Sequence, residues 1–414
     1  MRKLKNHPLF KTLFQLRGTP AASIYTEPLW GIPFYLYITY SSLYMLALGL
    51  SEKQIGLVVS FGLVFQVLFT LISGAITDKL GRKMTTFIFD MISWGMCTLL
   101  WAVAQNVYFF LAAAFFNSVY KITQNSWTLL LTEDAPKDKL VHIFTWIQIA
   151  LLLSGFFAPL AGLLVSKLTL IPAVRVIYAF AFVSMMTKFI ILYKFSDETE
   201  RGKIRMAETK GVPLFKLVGG LKGSFLKLIG TPQTIKAFFI LLSLSLYTIL
   251  KDTFWSIQVF KSLQFNESSI ALFPLIKSIT MLSVFLLATP FFHGSRFKIP
   301  LSLGFIVLGV ANVLLINCPV QNYTILILST ILDALALAFI RPWMDTLLFN
   351  AVENEDRAGI MAVINLLIVV LSTPFGALGG ILSGMNPTYP FYLVIAITLA
   401  AAVLVLSIHR IDSD

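Results

Sequence analysis

Charged side chains interrupt stretches that are otherwise apolar, and they are the first candidates for chemistry in this chain. Histidine aside, ten ionisable residues lie inside such stretches. If the stretches cross a membrane, each charge costs about 2.5–3.5 kcal/mol on insertion scales and must pair, face water or bind a ligand. Seven occur in the first, fourth, seventh and tenth stretches, namely Glu27, Lys121, Lys251, Asp252, Asp333, Arg341 and Asp345. The other three are Asp90, Lys188 and Lys277.

The tenth stretch carries the richest set. Asp333, Arg341 and Asp345 are separated by multiples of four residues and therefore share one face of a helix. Arg341 can neutralise Asp345 at i,i+4 or contact an anionic group of a substrate. Asp333 and Glu27 can each bind a proton, because burial disfavours the charged carboxylate, or pair with a lysine. Both interpretations remain open for each of these residues.

A second set of functional residue types lies where the second apolar stretch ends, in the segment Gly74–Lys83. Gly74 permits a close approach of two helices, and Gly81 permits a tight turn. Asp78 can accept hydrogen bonds from backbone donors at a helix start. Arg82 can form a two-pronged ion pair with a carboxylate. Alternatively, the basic residues of the segment only determine membrane topology.

The three remaining intramembrane charges have simpler expected roles. Lys188 is expected to extend its side chain to the inner surface. Asp90, near the start of the third stretch, is expected to support the Gly74–Lys83 segment rather than contact a substrate. Lys277 can pair with Asp252, and alternatively Asp333 can neutralise a neighbouring lysine such as Lys277 or Lys121.

Residue types needed for metal, cofactor or nucleophilic chemistry do not form a pattern. The chain has two cysteines and four scattered histidines, and it contains no H-E-x-x-H motif. It also lacks the G-x-x-x-x-G-K-[ST] phosphate-binding loop. We therefore expect no metal site, no cofactor, no enzymatic activity and no ATP-driven step performed by this chain.

The elements that must position these residues follow from composition. Of 414 residues, 57% are apolar and only 13% are charged, which leaves too few polar side chains to cover a soluble protein. A spanning helix needs about 20 apolar residues. The apolar stretches lie at 22–50, 55–77, 84–104, 106–132, 140–166, 176–193, 237–258, 269–291, 300–317, 323–350, 358–384 and 388–408. They predict an all-α membrane protein with twelve transmembrane helices.

The basic residues predict the orientation of these helices. With the N-terminus inside, 23 Lys and Arg residues fall in cytoplasmic segments and four in external loops. This asymmetry predicts that both termini are cytoplasmic. The net charge of +12 is therefore interpreted as a topology signal and not as a nucleic-acid-binding surface.

The spans fall into two sets of six. We predict six-helix bundles over 1–193 and 237–414, joined by a cytoplasmic linker over 194–236. Apolar residues at helical spacing with interleaved lysines predict an amphipathic helix on the membrane surface in this linker, and a plain linker is the alternative. Leu50–Leu57 matches Phe265–Leu272 at an offset of 215 residues, which predicts a parallel repeat with a cavity between the bundles.

The Gly74–Lys83 segment resembles the signature G-x-x-x-D-[RK]-x-G-R-[RK] of the major facilitator superfamily at every defined position. The resemblance implies that helices 1, 4, 7 and 10 line a cavity and that the motif acts as a gate. It implies that the partners of the motif are the start of span 11, near Ala358 and Gly359, and an acidic residue ending span 4, Glu133 or Asp134. A second copy at Thr289–Lys298 lacks the Asp and the Gly-Arg pair.

These features predict a secondary transporter that works by alternating access in the cell membrane. The similarity of the motif to drug transporters favours proton-driven efflux of a small amphipathic solute. A partial antiporter motif, Ala158–Gly162, favours the same direction. Uptake of a small organic solute, by proton symport or facilitated diffusion, is the alternative. The expected partners are the solute, protons and the lipid bilayer, and we expect the chain to act as a monomer.

Overall fold

The fold is helical throughout the part of the chain that can be described. The computed structural model describes residues 8–136, 139–217, 221–230, 232–288, 298–351 and 357–408, and these residues contain no β-strand. A helix satisfies its backbone hydrogen bonds internally, as a lipid environment requires. The predicted all-α fold class is confirmed.

The helices are numbered here from the N-terminus. The first twelve are α1 (Pro8–Gln15), α2 (Gly18–Tyr37), α3 (Ser41–Ala47), α4 (Glu52–Leu80), α5 (Arg82–Asp90), α6 (Cys97–Ala102), α7 (Val107–Ser118), α8 (Tyr120–Thr132), α9 (Leu140–Ser154), α10 (Pro159–Leu168), α11 (Leu170–Phe195) and α12 (Glu200–Glu208). The others are α13 (Leu214–Leu217), α14 (Leu221–Gly230), α15 (Pro232–Ile257), α16 (Glu267–Ile270), α17 (Leu272–Ala288), α18 (Lys298–Ile316), α19 (Tyr323–Ala351), α20 (Arg357–Met385) and α21 (Tyr389–Leu406).

The chain folds into two compact units. The first unit comprises Met1–Ile38, Phe65–Ala161 and Ile171–Gly219, and the second comprises Thr39–Val64, Gly162–Leu170 and Gly220–Asp414. The predicted division into 1–193, 194–236 and 237–414 follows chain order and stays a prediction.

Ten helical stretches among the described residues are long and apolar enough to cross a membrane. They correspond to all the predicted spans except the first and the fourth. The helix of the first span contains Pro28 and Pro33 and is divided at the 3₁₀ turn Ile38–Tyr40. The fourth is divided into α7 and α8 at Val119. Both predicted spans are thus helical but interrupted, and the observed pattern agrees with a twelve-helix architecture.

The start of α4 packs closely on α20 within the second unit. A Cβ atom added to Gly56 would collide with backbone atoms of Gly376 and Gly380. Ser60 Oγ donates to the carbonyl of Thr373 at 2.5 Å and accepts from the backbone N–H of Ala377 at 2.8 Å. Small residues on both helices therefore allow their backbones to approach and to share polar contacts.

The predicted linker contains the short helices α12, α13 and α14. Leu228 of α14 is buried in a cluster with apolar residues of α15 and α20, whereas Phe225 and Leu226 are exposed. The side chain of Phe215 in α13 is 83% exposed. Apolar side chains thus face outward here, and their contact with a membrane surface stays a prediction.

Candidate functional site

The Gly74–Lys83 motif forms the junction between α4 and α5 in the first unit. Gly81 has φ 81° and ψ 166°, a conformation that glycine adopts far more easily than other residues. A Cβ at Gly81 would also collide with the side chains of Glu198 and Met206. Gly81 therefore lets α4 end at Leu80 and α5 begin directly at Arg82.

Arg82 is the centre of a buried ion-pair network and is only 3% exposed. Its Nε and Nη2 atoms donate to Oε2 and Oε1 of Glu133, both at 2.9 Å, and Nη1 donates to Oδ1 of Asp78 at 3.2 Å. The two parallel bonds to Glu133 form a bidentate pair, which is short and geometrically specific. Of the two acids expected near Arg82, Glu133 contacts it, whereas Asp134 accepts from the backbone N–H of Glu200 at 3.2 Å.

The segment after α11 completes this network. Glu198 Oε1 and Oε2 accept from the backbone N–H groups of Arg82 and Lys83, each at 2.9 Å. Its carboxylate therefore lies at the positive N-terminal end of α5. Thr199 donates to Glu133 Oε2 at 2.5 Å, so this segment contacts both the start of α5 and the partner of Arg82.

The carboxylate of Asp78 is shared between two arginines. Its Oδ2 atom accepts from Arg205 Nη2 of α12 at 2.7 Å, while Oδ1 contacts Arg82. The Thr209 hydroxyl donates to the carbonyl of Asp78 at 3.1 Å. Hydrogen bonds to Asp78 and then to Glu208 raise the pKa of the Arg205 guanidinium, so Arg205 stays charged. Asp78 is thus held by the segment that follows α11.

Two contributors to this network, Glu198 and Arg205, are not among the predicted site residues. Both lie in the run Asp197–Arg205, which carries many charges and begins directly after a span. Such a run next to a membrane is ordinarily interpreted as a topology signal. Only the fold shows that it turns back onto the motif.

Three further expectations concern Gly74, Ala358 and the second copy of the motif. The close helix contact expected at Gly74 is absent here, because no described atom lies within 4 Å of a Cβ added at this position. α4 leaves open space on that side in this conformation. The side chain of Ala358 and nearly all of the second motif copy, 289–297, lie outside the described residues.

Glu27 and Lys188 form a buried ion pair in the first unit. Lys188 Nζ of α11 donates to Glu27 Oε2 of α2 at 2.8 Å, and it lies 5.8 Å from the ring centre of Trp30. The expected extension of Lys188 to the surface is therefore wrong, because Glu27 offers it a carboxylate inside the unit.

Lys121 of α8 lies in a polar and aromatic setting. Its Nζ atom donates to Gln124 Oε1 at 3.3 Å and lies 4.9 Å from the ring centre of Tyr120. Tyr120 in turn donates to Gln66 of α4 at 3.5 Å.

Asp333 is the centre of a second buried network, in the second unit. Its carboxylate accepts from Tyr247 at 2.5 Å and lies 3.2 Å from Lys251 Nζ and 3.4 Å from Lys277 Nζ. Lys251 also donates to Asn312 Oδ1 at 2.9 Å. Contacts from α15 and α17 therefore converge on one carboxylate of α19. Of the predicted lysine partners, Lys277 contacts Asp333. The roles of Tyr247 and Asn312 could not be predicted from the sequence, because neither side chain carries a charge.

The other charged residues predicted on α15 and α19 are Asp252, Arg341 and Asp345. Asp252 and Arg341 are exposed, and Asp252 interacts electrostatically with Lys277 and Arg341. The pair expected between Lys277 and Asp252 is not formed within 4.0 Å among the described residues, because Lys277 contacts Asp333 instead. The side chain of Asp345 lies outside the described residues.

A third polar cluster, which the sequence did not indicate, surrounds Glu52 at the start of α4. Its carboxylate accepts from Lys261 Nζ and from Ser383 Oγ, each at 2.5 Å, and Glu52 is only 6% exposed. Nearby, Ser42 donates to the carbonyl of Thr253 at 2.7 Å. These contacts join segments of the second unit that are far apart in the chain.

Comparison with known proteins places these sites in context. A family model described as the Major Facilitator Superfamily matches residues 30–319. No curated protein matches the chain. Several solved structures share the fold at low sequence identity. A POT family transporter in complex with 5-aminolevulinic acid has a TM-score of 0.74 and 11% identity, with 97% of this chain and 100% of that chain covered.

Two further structures have the same fold. The nucleoside transporter NupG has a TM-score of 0.69 and 17% identity, with 96% of this chain and 99% of that chain covered. The human organic anion transporter MFSD10 (TETRAN) has a TM-score of 0.61 and 16% identity, with coverage of 97% and 100%. Each comparison covers almost the full length of both chains.

Proposed function

The chain belongs to the major facilitator superfamily and is a membrane transporter rather than an enzyme, and on that premise we propose that it couples solute movement to a proton gradient. The solute is a small amphipathic molecule, and the direction is efflux. Alternating access is the mechanism. The proposal of proton coupling rests on the Asp333 network.

In the Asp333 network one carboxylate holds two ammonium groups, which stabilise its charged form, so Asp333 binds a proton only in a second conformation that separates it from the lysines. Asp333 is 3% exposed, and Lys251 and Lys277 approach it from two helices, α15 and α17. Protonation of Asp333 would remove the negative charge that attracts both lysines. Contacts among α15, α17 and α19 would then weaken together, which biases the protein toward another conformation.

The test replaces Asp333 by Asn in purified protein reconstituted into liposomes. Asp333→Asn keeps the shape but removes the titrating group, so gradient-driven flux should be lost while exchange of labelled for unlabelled solute persists. Asp197→Asn, at an exposed position outside the spans, is the matched control and should keep both activities.

A purely structural role for Asp333 makes the opposite prediction. Asp333→Asn would then leave Lys251 and Lys277 without a counter-charge and would impair folding or solute exchange. Adding Lys277→Met would restore both. Loss of exchange together with this rescue would overturn the coupling proposal.

The Arg82 network is proposed to act as a gate at the end of α4. Its support is the engagement of Asp78 by Arg82 and Arg205, which ties α4 and α5 to the segment after α11. Asp78→Asn should leave membrane insertion intact but slow transport by about tenfold or more, equivalent to at least 1.4 kcal/mol of lost interaction. Asp134→Asn is the matched comparison and should have a smaller effect, because Asp134 contacts a backbone amide and not Arg82. Equal rates for the wild type and Asp78→Asn at matched expression would exclude the gate.

Direction and substrate need a separate measurement. The motif and the partial Ala158–Gly162 pattern support drug-efflux-like antiport. We further propose that the protein is a monomer in the cell membrane, and the distribution of Lys and Arg residues supports cytoplasmic termini. Uptake of a small organic solute is the second candidate. Its support is the fold that this chain shares with a nucleoside transporter and with a POT family transporter solved in complex with 5-aminolevulinic acid. Liposomes with proton gradients of either sign, tested with a cationic dye, a nucleoside and 5-aminolevulinic acid, distinguish the two. Solute movement in the direction opposite to proton flow supports antiport, and solute movement in the same direction as proton flow supports symport.

A further inference from the structure

A buried group of three charges in the first unit has no role in the proposal above. It consists of Glu27 on α2, Asp90 at the end of α5 and Lys188 on α11. The three residues are 5%, 8% and 6% exposed. Asp90 interacts electrostatically with both Lys188 and Glu27. The three side chains therefore form one electrostatic cluster.

The charges of this cluster do not balance. It contains two carboxylates and one ammonium group, so full ionisation would leave a negative charge in a poorly hydrated interior. Glu27 holds the ammonium of Lys188 directly, at 2.8 Å. Across the described ranges, Asp90 makes no ion pair within 4.0 Å, and a side-chain hydrogen bond with Thr123 of α8 is its polar contact. A single proton on Asp90 would neutralise the cluster and leave the Glu27–Lys188 pair intact.

A narrow cleft leads to Asp90 but not to Glu27. Its cavity volume is about 10 Å³, and its lining includes Lys83, Asp90, Leu130, Phe189, Tyr193 and Ser196. A drug-sized solute needs roughly 300–1,000 Å³, so the cleft is too small for a substrate, and its volume corresponds to about one water molecule. Ser196 Oγ is buried in its wall and has no hydrogen-bond partner in the described part of the chain. A water molecule would supply that partner.

We propose that Asp90 is a proton-binding site that exchanges protons through this cleft with the side of the membrane on which the Arg82 network lies. The proton moves between the Asp90 carboxylate and water in the cleft, and no other bond forms or breaks. When the proton leaves, the Asp90 carboxylate competes with Glu27 for the ammonium of Lys188. The contact between α2 and α11 weakens as a result.

The charged and polar groups around Asp90 and its cleft come from four helices. Lys83 lies on α5 itself, Glu27 on α2, and Lys188 and Tyr193 on α11. Lys83 is held over the Tyr193 ring, 4.7 Å from its centre, at the cleft. Thr123 of α8 completes the surroundings. Glu27 and Lys188 interact with Asp90 and therefore influence its proton affinity, and Asp90 is the member of the cluster that lines the cleft.

This inference deepens the proposed proton coupling, on which its role in transport rests, but proton binding itself can be measured separately. Infrared spectra of the protein in lipid nanodiscs report protonated carboxyl groups by their carbonyl stretch. We expect a protonated carboxyl band at neutral pH that shifts in D₂O and is absent in Asp90→Asn. Asp197→Asn, which alters an exposed carboxylate, should retain the band. A band of unchanged intensity in Asp90→Asn would overturn the assignment.

The proposed proton path makes a second prediction, which a purely structural role of Asp90 does not make. Ser196→Leu places a larger apolar side chain in the cleft and should slow the D₂O shift of the Asp90 band several-fold. The Asp197→Asn control should exchange at the wild-type rate. Unchanged exchange in Ser196→Leu would show that the proton does not pass this way and would overturn the proposed path.

Transport measurements separate this inference from the proposed function. Asp90→Asn should retain solute exchange but lose part of the gradient-driven flux. If the wild type shows no gradient-driven flux, the proposed coupling fails while the infrared result still decides proton binding. If the wild type is coupled and Asp90→Asn is coupled equally well, the site has no part in transport and the inference fails.

Discussion

A buried guanidinium such as that of Arg82 stabilises the fold only while its carboxylate partners remain in place. Arg82 is surrounded by Glu133 and Asp78, and its backbone N–H contacts Glu198. Lysine could replace the charge but not the planar, two-pronged geometry. Removing one partner leaves the other charge buried without compensation, which is far more costly than losing an exposed pair.

Arg82→Ala should therefore destabilise the protein strongly. We expect the free energy of unfolding to fall by about 3–5 kcal/mol, the usual cost of breaking a buried pair. Lys203→Ala is the control, because Lys203 and Glu200 pair through side chains that are 58% and 76% exposed. Its effect should be about 0–1 kcal/mol. Denaturant unfolding in detergent, followed by tryptophan fluorescence, provides both values, and equal losses would contradict the buried-pair interpretation.

At the scale of elements, α4 uses glycine for two different purposes. Gly56 lies at the crossing with α20, where a Cβ would collide with backbone atoms that cannot move aside. Gly74, five turns further along the same helix, has open space around it in this conformation. Glycine in a helix interior costs about 0.5–1 kcal/mol relative to alanine. Packing in this conformation therefore does not require glycine rather than alanine at the position of Gly74.

The two glycines should respond oppositely to the same substitution. Gly56→Ala should lower the thermal unfolding temperature, because α4 and α20 must separate to admit the methyl group. Gly74→Ala should leave this temperature unchanged or raise it slightly, corresponding to about 0.5–1 kcal/mol. Thermal unfolding of both variants in detergent checks the comparison. A decrease of similar size in both would contradict the open space around Gly74.

At the scale of the whole molecule, the distribution of basic residues predicts how the helices are oriented in the membrane. The 23 Lys and Arg residues assigned to cytoplasmic segments include Lys203, and the four assigned to external loops include Lys53. Both side chains are exposed, so reagents in water can reach them. The asymmetry acts during insertion and does not depend on the packing of the finished fold.

Cysteine labelling should place these two positions on opposite sides of the membrane. In a variant lacking Cys97 and Cys318, Lys53→Cys should react with a membrane-impermeant maleimide in intact cells. Lys203→Cys should react only after the membrane is permeabilised. Each variant is the control for the other, and the reverse pattern would overturn the predicted orientation.

The amino-acid sequence by itself determined the fold class, the helical stretches and the motif that leads to the family. These features depend on local composition, since about 20 consecutive apolar residues suffice to span a membrane. The interruptions of spans 1 and 4 were less visible. Pro28 and Pro33 lie within α2, before the 3₁₀ turn Ile38–Tyr40, and the break at Val119 has no proline or glycine of its own.

The tertiary structure alone decided which charges meet. Arg82 selects Glu133 over the adjacent Asp134, Lys188 turns inward to Glu27, and Lys277 contacts Asp333 instead of Asp252. Helical periodicity tells which residues share a face, but not which faces of different helices come together. That depends on where α4, α5, α11 and their neighbours cross, and a shift of one helical turn would exchange every partner. The Asp90 cleft exists for the same reason, because its walls come from three helices that the sequence does not align.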